Sequence, residues 1–231
     1  MAQAYFSPSV FAFLKELDAN NNREWWEENK DRYIATVREP ALAFITDFEP
    51  QLHSMSPHFV ADTRVNGGSL MRPYRDVRFS KDKTPYKTNI GIQFRHERGK
   101  DVHAPGFYVH IEPGQCFIGV GMWHPEPKVA RVIRQHIHEY PDSWIAATRD
   151  RSFTETWSIA QDDDEMLKRV PREFDPDHEL ADDLRMKSFI AGRRTTQKSV
   201  TSGDFDVQLG DAFRRASDLS SFLCDAVSLP Y

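Results

Sequence analysis

The sequence predicts a single α+β domain. Three observations carry the prediction: an apolar alternation of period two confined to the middle of the chain, amphipathic helical stretches on both sides of it, and no internal repeat or low-complexity linker between them. Stretches 88–96, 106–112 and 115–123 alternate apolar with other residues, and Pro113-Gly114 separates the last two by a two-residue turn. That pattern reads as an antiparallel meander. A turn of that length sets the register, pairing Glu112 with Gln115, His110 with Phe117, Tyr108 with Gly119 and Gly106 with Gly121. One face then carries Phe107, Val109, Ile111, Cys116, Ile118, Val120 and Met122, which is a core face. The other carries Tyr108, His110, Glu112, Gln115, Phe117 and Trp123 around Gly106, Gly119 and Gly121. Asn89, Gly91, Gln93 and Arg95 of the preceding strand join it. Glycine weakens a strand unless a bend or a close approach requires it, so a glycine-rich face ringed by polar and aromatic groups reads as the floor of a binding site or as a surface covered by another element.

The helical stretches follow in chain order. Ser7-Pro8 reads as an N-cap and first-turn proline, and Val10, Phe11, Phe13, Leu14 and Leu17 give a helix over 8–19 that ends in Asn20-Asn21-Asn22. Asn22 caps a longer helix that runs through Trp26, Tyr33, Val37, Phe44 and Phe48, with Pro40 as a kink and Pro50 near its end. Trp25 and Trp26 are adjacent, about 100° apart on a helix, so only one of them faces the core. A short strand is expected over 59–64, then a turn at Asn66-Gly67-Gly68 and an extended run over 70–79. After the meander, helices are expected over 125–140 and from Pro141, and one closing helix over 205–227. Gly192-Arg193-Arg194 reads as an exposed turn that could add cations to the site. The domain thus divides into N-terminal helices over 8–55, a sheet over 59–124, and helices with connections over 125–231.

Composition narrows the class. With 231 residues, 39% hydrophobic and 28% charged, the chain can bury a full core and is too rich in aromatics for disorder. Cys116 and Cys224 are the only cysteines, so no disulfide framework is indicated and a reducing cytoplasm fits. No stretch approaches eighteen consecutive apolar residues, and the start has no signal-peptide pattern, so a membrane partner is not expected.

Charge is unevenly distributed. Between 72 and 100, Arg72, Arg75, Arg78, Lys81, Lys83, Lys87, Arg95, Arg98 and Lys100 stand against Asp76, Asp82 and Glu97. Nine positive and three negative residues leave +6 in a chain whose formal net charge is −5. Converging cations would concentrate anions locally. The stretch 161–183 runs the other way, with ten acidic residues against three basic, and reads as a solvated face or as ion-pair partners for the basic segment.

The blocks FLKELDANNNREWWEENKDRY, GGSLMRPYRDVRFSKDKTPYKT, GIQFRHERGKDVHAPGFYVHIEPG and GVGMWHP resemble a widespread bacterial and fungal family of conserved hypothetical proteins, the 2461 family of domains of unknown function. The likeness covers most of the chain. It implies kinship and brings with it no activity, substrate or cofactor.

The residues therefore set the functional expectation. A small anionic ligand, phosphorylated ones included, would bind Arg72, Arg75, Arg78, Lys81, Lys83, Lys87, Gln93, Arg95, Tyr108 and Trp123, on the meander face and the basic loop. The alternative is an enzyme with His110 and Glu112 in acid–base roles, the cations stabilising developing negative charge. A further alternative is a nucleic-acid or protein interaction module; nucleic-acid binding fits the interleaving of cations with Tyr74, Tyr86, Phe94 and Trp123. It is less favoured, because the pI is near 6.0 and no recognised nucleic-acid motif occurs. His103, His110, Glu112 and His124 lack metal-ligand spacing, so no metal is predicted; no motif specifies a cofactor or sets an oligomeric state.

Overall fold

A computed structural model of the chain describes residues 4–78, 80–99, 104–160 and 165–231. Helix α1 spans Pro8–Ala19, with Val10, Phe11, Phe13, Leu14 and Leu17 buried. Ser7 holds the extended N-cap conformation, yet its hydroxyl bonds Ser9 rather than a helix N–H. Helix α2, Arg23–Tyr33, is capped by Asn22, whose side-chain oxygen accepts the Trp25 N–H at 3.0 Å. Trp26 is the tryptophan that enters the core; Trp25 is half-buried and packs on Phe13 of α1 instead of reaching the sheet.

The expected kink at Pro40 takes the form of a π-helical turn at Ile34–Arg38, followed by α3 at Glu39–Met55. Proline has no N–H for the carbonyl four residues back and its ring crowds that carbonyl. The ladder slips by one residue just before it, so that the Glu39 N–H reaches the Ile34 carbonyl.

The sheet is five-stranded, antiparallel at every pairing and open. Its strands are β1 Ile90–Arg95, β2 Gly106–Ile111, β3 Phe117–Met122, β4 Ser158–Ile159 and β5 Phe189–Arg194, in the order β1-β2-β3-β5-β4. The β2–β3 register pairs Gly106 with Gly121, Tyr108 with Gly119 and His110 with Phe117, as the two-residue turn requires. Phe107, Val109, Ile111, Cys116, Ile118, Val120 and Met122 are all buried. This face packs against the helices: Phe44 and Phe48 of α3 lie on Phe94. Phe213 of α9 (Phe205–Arg214) lies on Phe107 at 4.7 Å.

Three expectations are corrected. The stretch 59–64 is not a strand; it contributes one bridge, Phe59 to His96. The run over 70–79, expected to be extended, forms bridges at Leu70 with Ile92 and at Tyr74 with Tyr86, and Phe79 lies outside the described residues. The closing helix is two helices, α9 and α10 (Ser217–Ala226), broken at Arg215-Ala216. The sheet is also not confined to 59–124. Residues 189–194, including the presumed turn Gly192-Arg193-Arg194, form β5 against β3. Only Phe189 and Ala191 of β5 are fully buried, and its end is two exposed arginines, too weak an alternation to read as a strand.

The remaining helices are α4 Pro127–Glu139, α5 Pro141–Arg149, α6 Arg151–Thr154, α7 Ala181–Arg185 and α8 Gln197–Val200.

Candidate functional site

The basic segment folds back on itself beside the edge of β1. Lys87 donates its N–H to the Pro73 carbonyl at 2.7 Å, and Arg75 donates to the Pro85 carbonyl at 2.9 Å, flanking the Tyr74–Tyr86 bridge. The α1–α2 turn anchors this loop. Asn21 Nδ2 donates to the Tyr86 carbonyl at 2.9 Å, while Asn21 Oδ1 accepts the Tyr86 N–H at 3.0 Å. The Trp26 indole stacks on the Tyr86 ring at 4.3 Å.

Within the loop several cations are already engaged. Arg75 bonds Asp82 and Thr84, and Arg78 grips Asp76 at 2.6 Å. Hydrogen bonds from Arg78 hold the Asp76 carboxyl down at about 2. The Asp82 carboxyl also sits at about 2, held first by the Thr84 N–H and then by Arg75. Lys83 donates to the Val77 carbonyl at 2.8 Å, and Lys81 is exposed. No ion pair between described residues joins the acidic stretch to these cations. Among the described residues Glu165 bonds His124 and Ser188, Glu173 pairs with Arg131, and Asp182 and Asp183 pair with Arg185 and Arg149. Asp162, Asp163, Asp164 and Lys100 lie outside the described residues. Charges two to seven residues apart met first, because closing a short loop costs little entropy.

Lys87 differs from its neighbours. It is half-buried, and among the described residues its ammonium makes no ion pair or hydrogen bond. Burial, together with the nearby Arg72, pushes its pKa below the usual lysine value. It opens onto a cleft of about 340 Å³ bordered also by Asn21, Arg75, Thr84, Thr88 and Asn89. Asp18 and Asp82 border the cleft too, the latter bonded to Arg75.

Next to this cleft, on the sheet face away from the helices, runs a hydrogen-bonded chain. The Tyr108 hydroxyl is 3.1 Å from His110 Nδ1, and His110 Nε2 is 3.0 Å from Glu112 Oε2. Asn89 Nδ2 also approaches His110 Nδ1 at 3.4 Å, and the Thr88 hydroxyl donates to Glu112 Oε1 at 3.3 Å. Two donors can approach Nδ1, and a carboxylate acceptor faces Nε2. The ring stacks on Phe117 at 4.4 Å. Burial, and secondarily the Glu112 charge, pushes the Tyr108 hydroxyl up to about 12, so it stays a proton donor at neutral pH. Thr88 and Asn89 border the cleft and touch the chain, joining the two.

The predicted residues therefore divide. Arg75 and Lys87 border the cleft, and His110 and Glu112 touch its wall. Arg72 neighbours Lys87 but lines a different cavity, and Arg78 is engaged with Asp76 at the exposed loop. Gln93 is buried within β1, and Arg95 donates to the Gly67 carbonyl at the sheet edge. Trp123 is 50% exposed, edge-on to His124, one position past the end of β3. The five steps of β3 from Phe117 to Met122, at the rise of an extended strand, already span roughly 16 Å from the row containing His110. Trp123 thus does not share a concave surface with Lys87.

The glycine-rich face also divides. A Cβ on Gly121, whose φ is +124°, would meet the Phe189 carbonyl oxygen at 2.1 Å, so β5 itself requires that glycine. Gly192, paired with Gly119, has nothing within 4 Å of a Cβ. Sequence reasoning missed Asn21, Thr84 and Thr88 as cleft residues, and placed Asn89 on the glycine-rich face without naming it a ligand. Their only signal was polar residues flanking a lysine, while Asn21 reads as an ordinary helix end.

Among the described residues no group of three or more His, Cys, Asp or Glu side chains is placed to hold a metal ion; His103 lies outside those residues. No helix among them is long and apolar enough to cross a membrane. No curated protein and no solved structure matches the chain significantly. The profile of the family described as "Conserved hypothetical protein (DUF2461)" matches residues 9–222, and the chain belongs to that family.

Proposed function

We propose that this protein binds a small anionic ligand, with phosphate or a phosphorylated metabolite as the chemical class, in the cleft between the basic loop and the sheet edge. The observation that carries the reading is Lys87. A half-buried ammonium with no ion-pair or hydrogen-bond partner among the described residues holds an unspent charge, and an anion would satisfy it. The Asn21 and Asn89 amides border the same space, and each has a second N–H that could donate to the anion's oxygens, while the Thr84 and Thr88 hydroxyl protons are already given to Asp82 and Glu112. Arg75 is positioned by Asp82, which offsets its charge and leaves Lys87 as the principal cation. A reducing cytoplasm is the compartment we favour, because Cys116 and Cys224 are both buried free thiols.

Calorimetric titration with inorganic phosphate, pyrophosphate and sugar phosphates tests the reading. Replacing Lys87 by Met keeps the stem and removes the charge; affinity should fall about tenfold or more, about 1.4 kcal/mol. Equal affinity in wild type and Lys87→Met would remove the cleft from the account.

The Tyr108–His110–Glu112 chain favours a second reading, in which a bound ligand undergoes proton transfer with His110 as the acid–base group. His110-dependent turnover of phosphoester, acyl or sugar-phosphate substrates would support it. Binding with no such turnover would retire it.

A further inference from the structure

We infer that a second cavity, sharing no lining residue with the Lys87 cleft, is a binding site for a small aromatic anion. It lies between the loop around residues 64–74 and the helix containing the π-turn, with a volume of about 280 Å³. Trp26, Tyr33 and Tyr74 supply aromatic wall, and Ile34 and Arg38 of the π-turn supply another side. Single π-turns recur at functional sites because they re-aim side chains without ending the helix.

Charge complementarity identifies the occupant. Lys30, Arg38, Arg64 and Arg72 line the cavity, and among the described residues no Asp or Glu does. Three of these cations have carboxylate partners that are not among the lining residues: Glu27, Glu39 and Asp62. Arg72, among the described residues, has no ion pair or hydrogen bond; the Asp76 carboxylate only feels its charge. Val65 and Tyr74, 66% and 47% exposed, put apolar surface beside these cations. The Trp26 Nε1–H, buried in the same wall, has no acceptor among the described residues. An apolar, aromatic cavity ringed by guanidinium and ammonium groups suits a ring stacked on tyrosine with its anionic substituent on Arg72. A volume near the lower end of the range for small-molecule sites, roughly 300 Å³, limits the body to a single ring.

Phenyl phosphate, phenylacetate and the uncharged benzyl alcohol are the probes, read by calorimetry and by ligand-observed saturation-transfer NMR. We expect at least one anion to bind about tenfold more tightly than benzyl alcohol, and whether phosphate or carboxylate is preferred names the anionic group. Arg72→Gln and Val65→Glu, both at exposed positions, should each weaken that binding about fivefold or more with unchanged thermal melting. Lys87→Met should leave it unchanged, which separates this site from the proposed cleft. The inference is overturned if no probe binds, if benzyl alcohol binds equally well, if both variants bind like wild type, or if Lys87→Met rather than Arg72→Gln abolishes binding.

Discussion

Two glycines on one sheet face, two strands apart in role, have opposite reasons for being glycine. Gly121 has a positive φ and no room beside the Phe189 carbonyl, so Gly121→Ala should destabilise by roughly 1–3 kcal/mol through backbone strain at the β3–β5 pairing. Gly192 has open space and no positive φ, so Gly192→Ala should leave stability within about 0.5 kcal/mol or raise it slightly. Urea midpoints of the two variants check the contrast; equal losses would show that the floor is constrained throughout. His96 makes a second residue-scale case. It is fully buried, its Nε2 lies 2.9 Å from the Pro230 carbonyl, and its Nδ1 accepts the Arg98 N–H at 3.1 Å. Burial lowers its pKa from the ordinary 6.5, with His58 and Arg98 opposing protonation and Glu97 favouring it. The unfolded imidazole therefore takes up a proton that the folded one resists. Stability contributed by neutral His96 is present above about pH 6.5 and declines as pH falls below it. The urea midpoint should drop between pH 7.5 and 5.5 in wild type and drop less in His96→Gln; parallel curves would contradict this.

At the scale of elements, the basic loop is ordered by a part of the chain remote in sequence. Asn21 offers the Tyr86 backbone both halves of a strand-like hydrogen-bond pair, while Trp26 from the next helix stacks on the Tyr86 ring. Lys87 follows immediately, so its position depends on that clamp. Asn21→Ala leaves two backbone groups without these partners and should cost about 1–2 kcal/mol. It should also weaken phosphate binding, although Lys87 is untouched. Undiminished affinity in a destabilised Asn21→Ala protein would show that the clamp does not position the cleft. The elements themselves were legible where a physical rule is local. The Pro113-Gly114 turn fixes a register that alternation then carries across β2 and β3, and Pro8 and Asn22 mark helix starts. The rest depended on distant partners. β5 has too few apolar residues to announce a strand and is completed by its pairing with β3, and Asn21 shows its role only once residue 86 is brought alongside.

Across the whole molecule, helices cover one sheet face, and the basic loop with the Tyr108–His110–Glu112 chain meets at one end of the other. The sequence identified the cations and the histidine without showing which charges survive folding. Arg75 and Arg78 were plausible anion ligands by type, yet each found a carboxylate within seven residues. Trp123 shares the face by alternation but stands at its far end, because alternation gives side and not position along the strand. What remains is Lys87, half-buried beside Arg72 and without an ion-pair partner among the described residues. The most direct test is an NMR titration of the Lys87 side chain, following 13Cε with pH in the free protein and again with saturating inorganic phosphate. The account predicts a pKa below the ordinary 10.5 in the free protein and a clear rise when the phosphate dianion sits beside the ammonium. A Lys87 pKa that phosphate does not move would contradict the central claim.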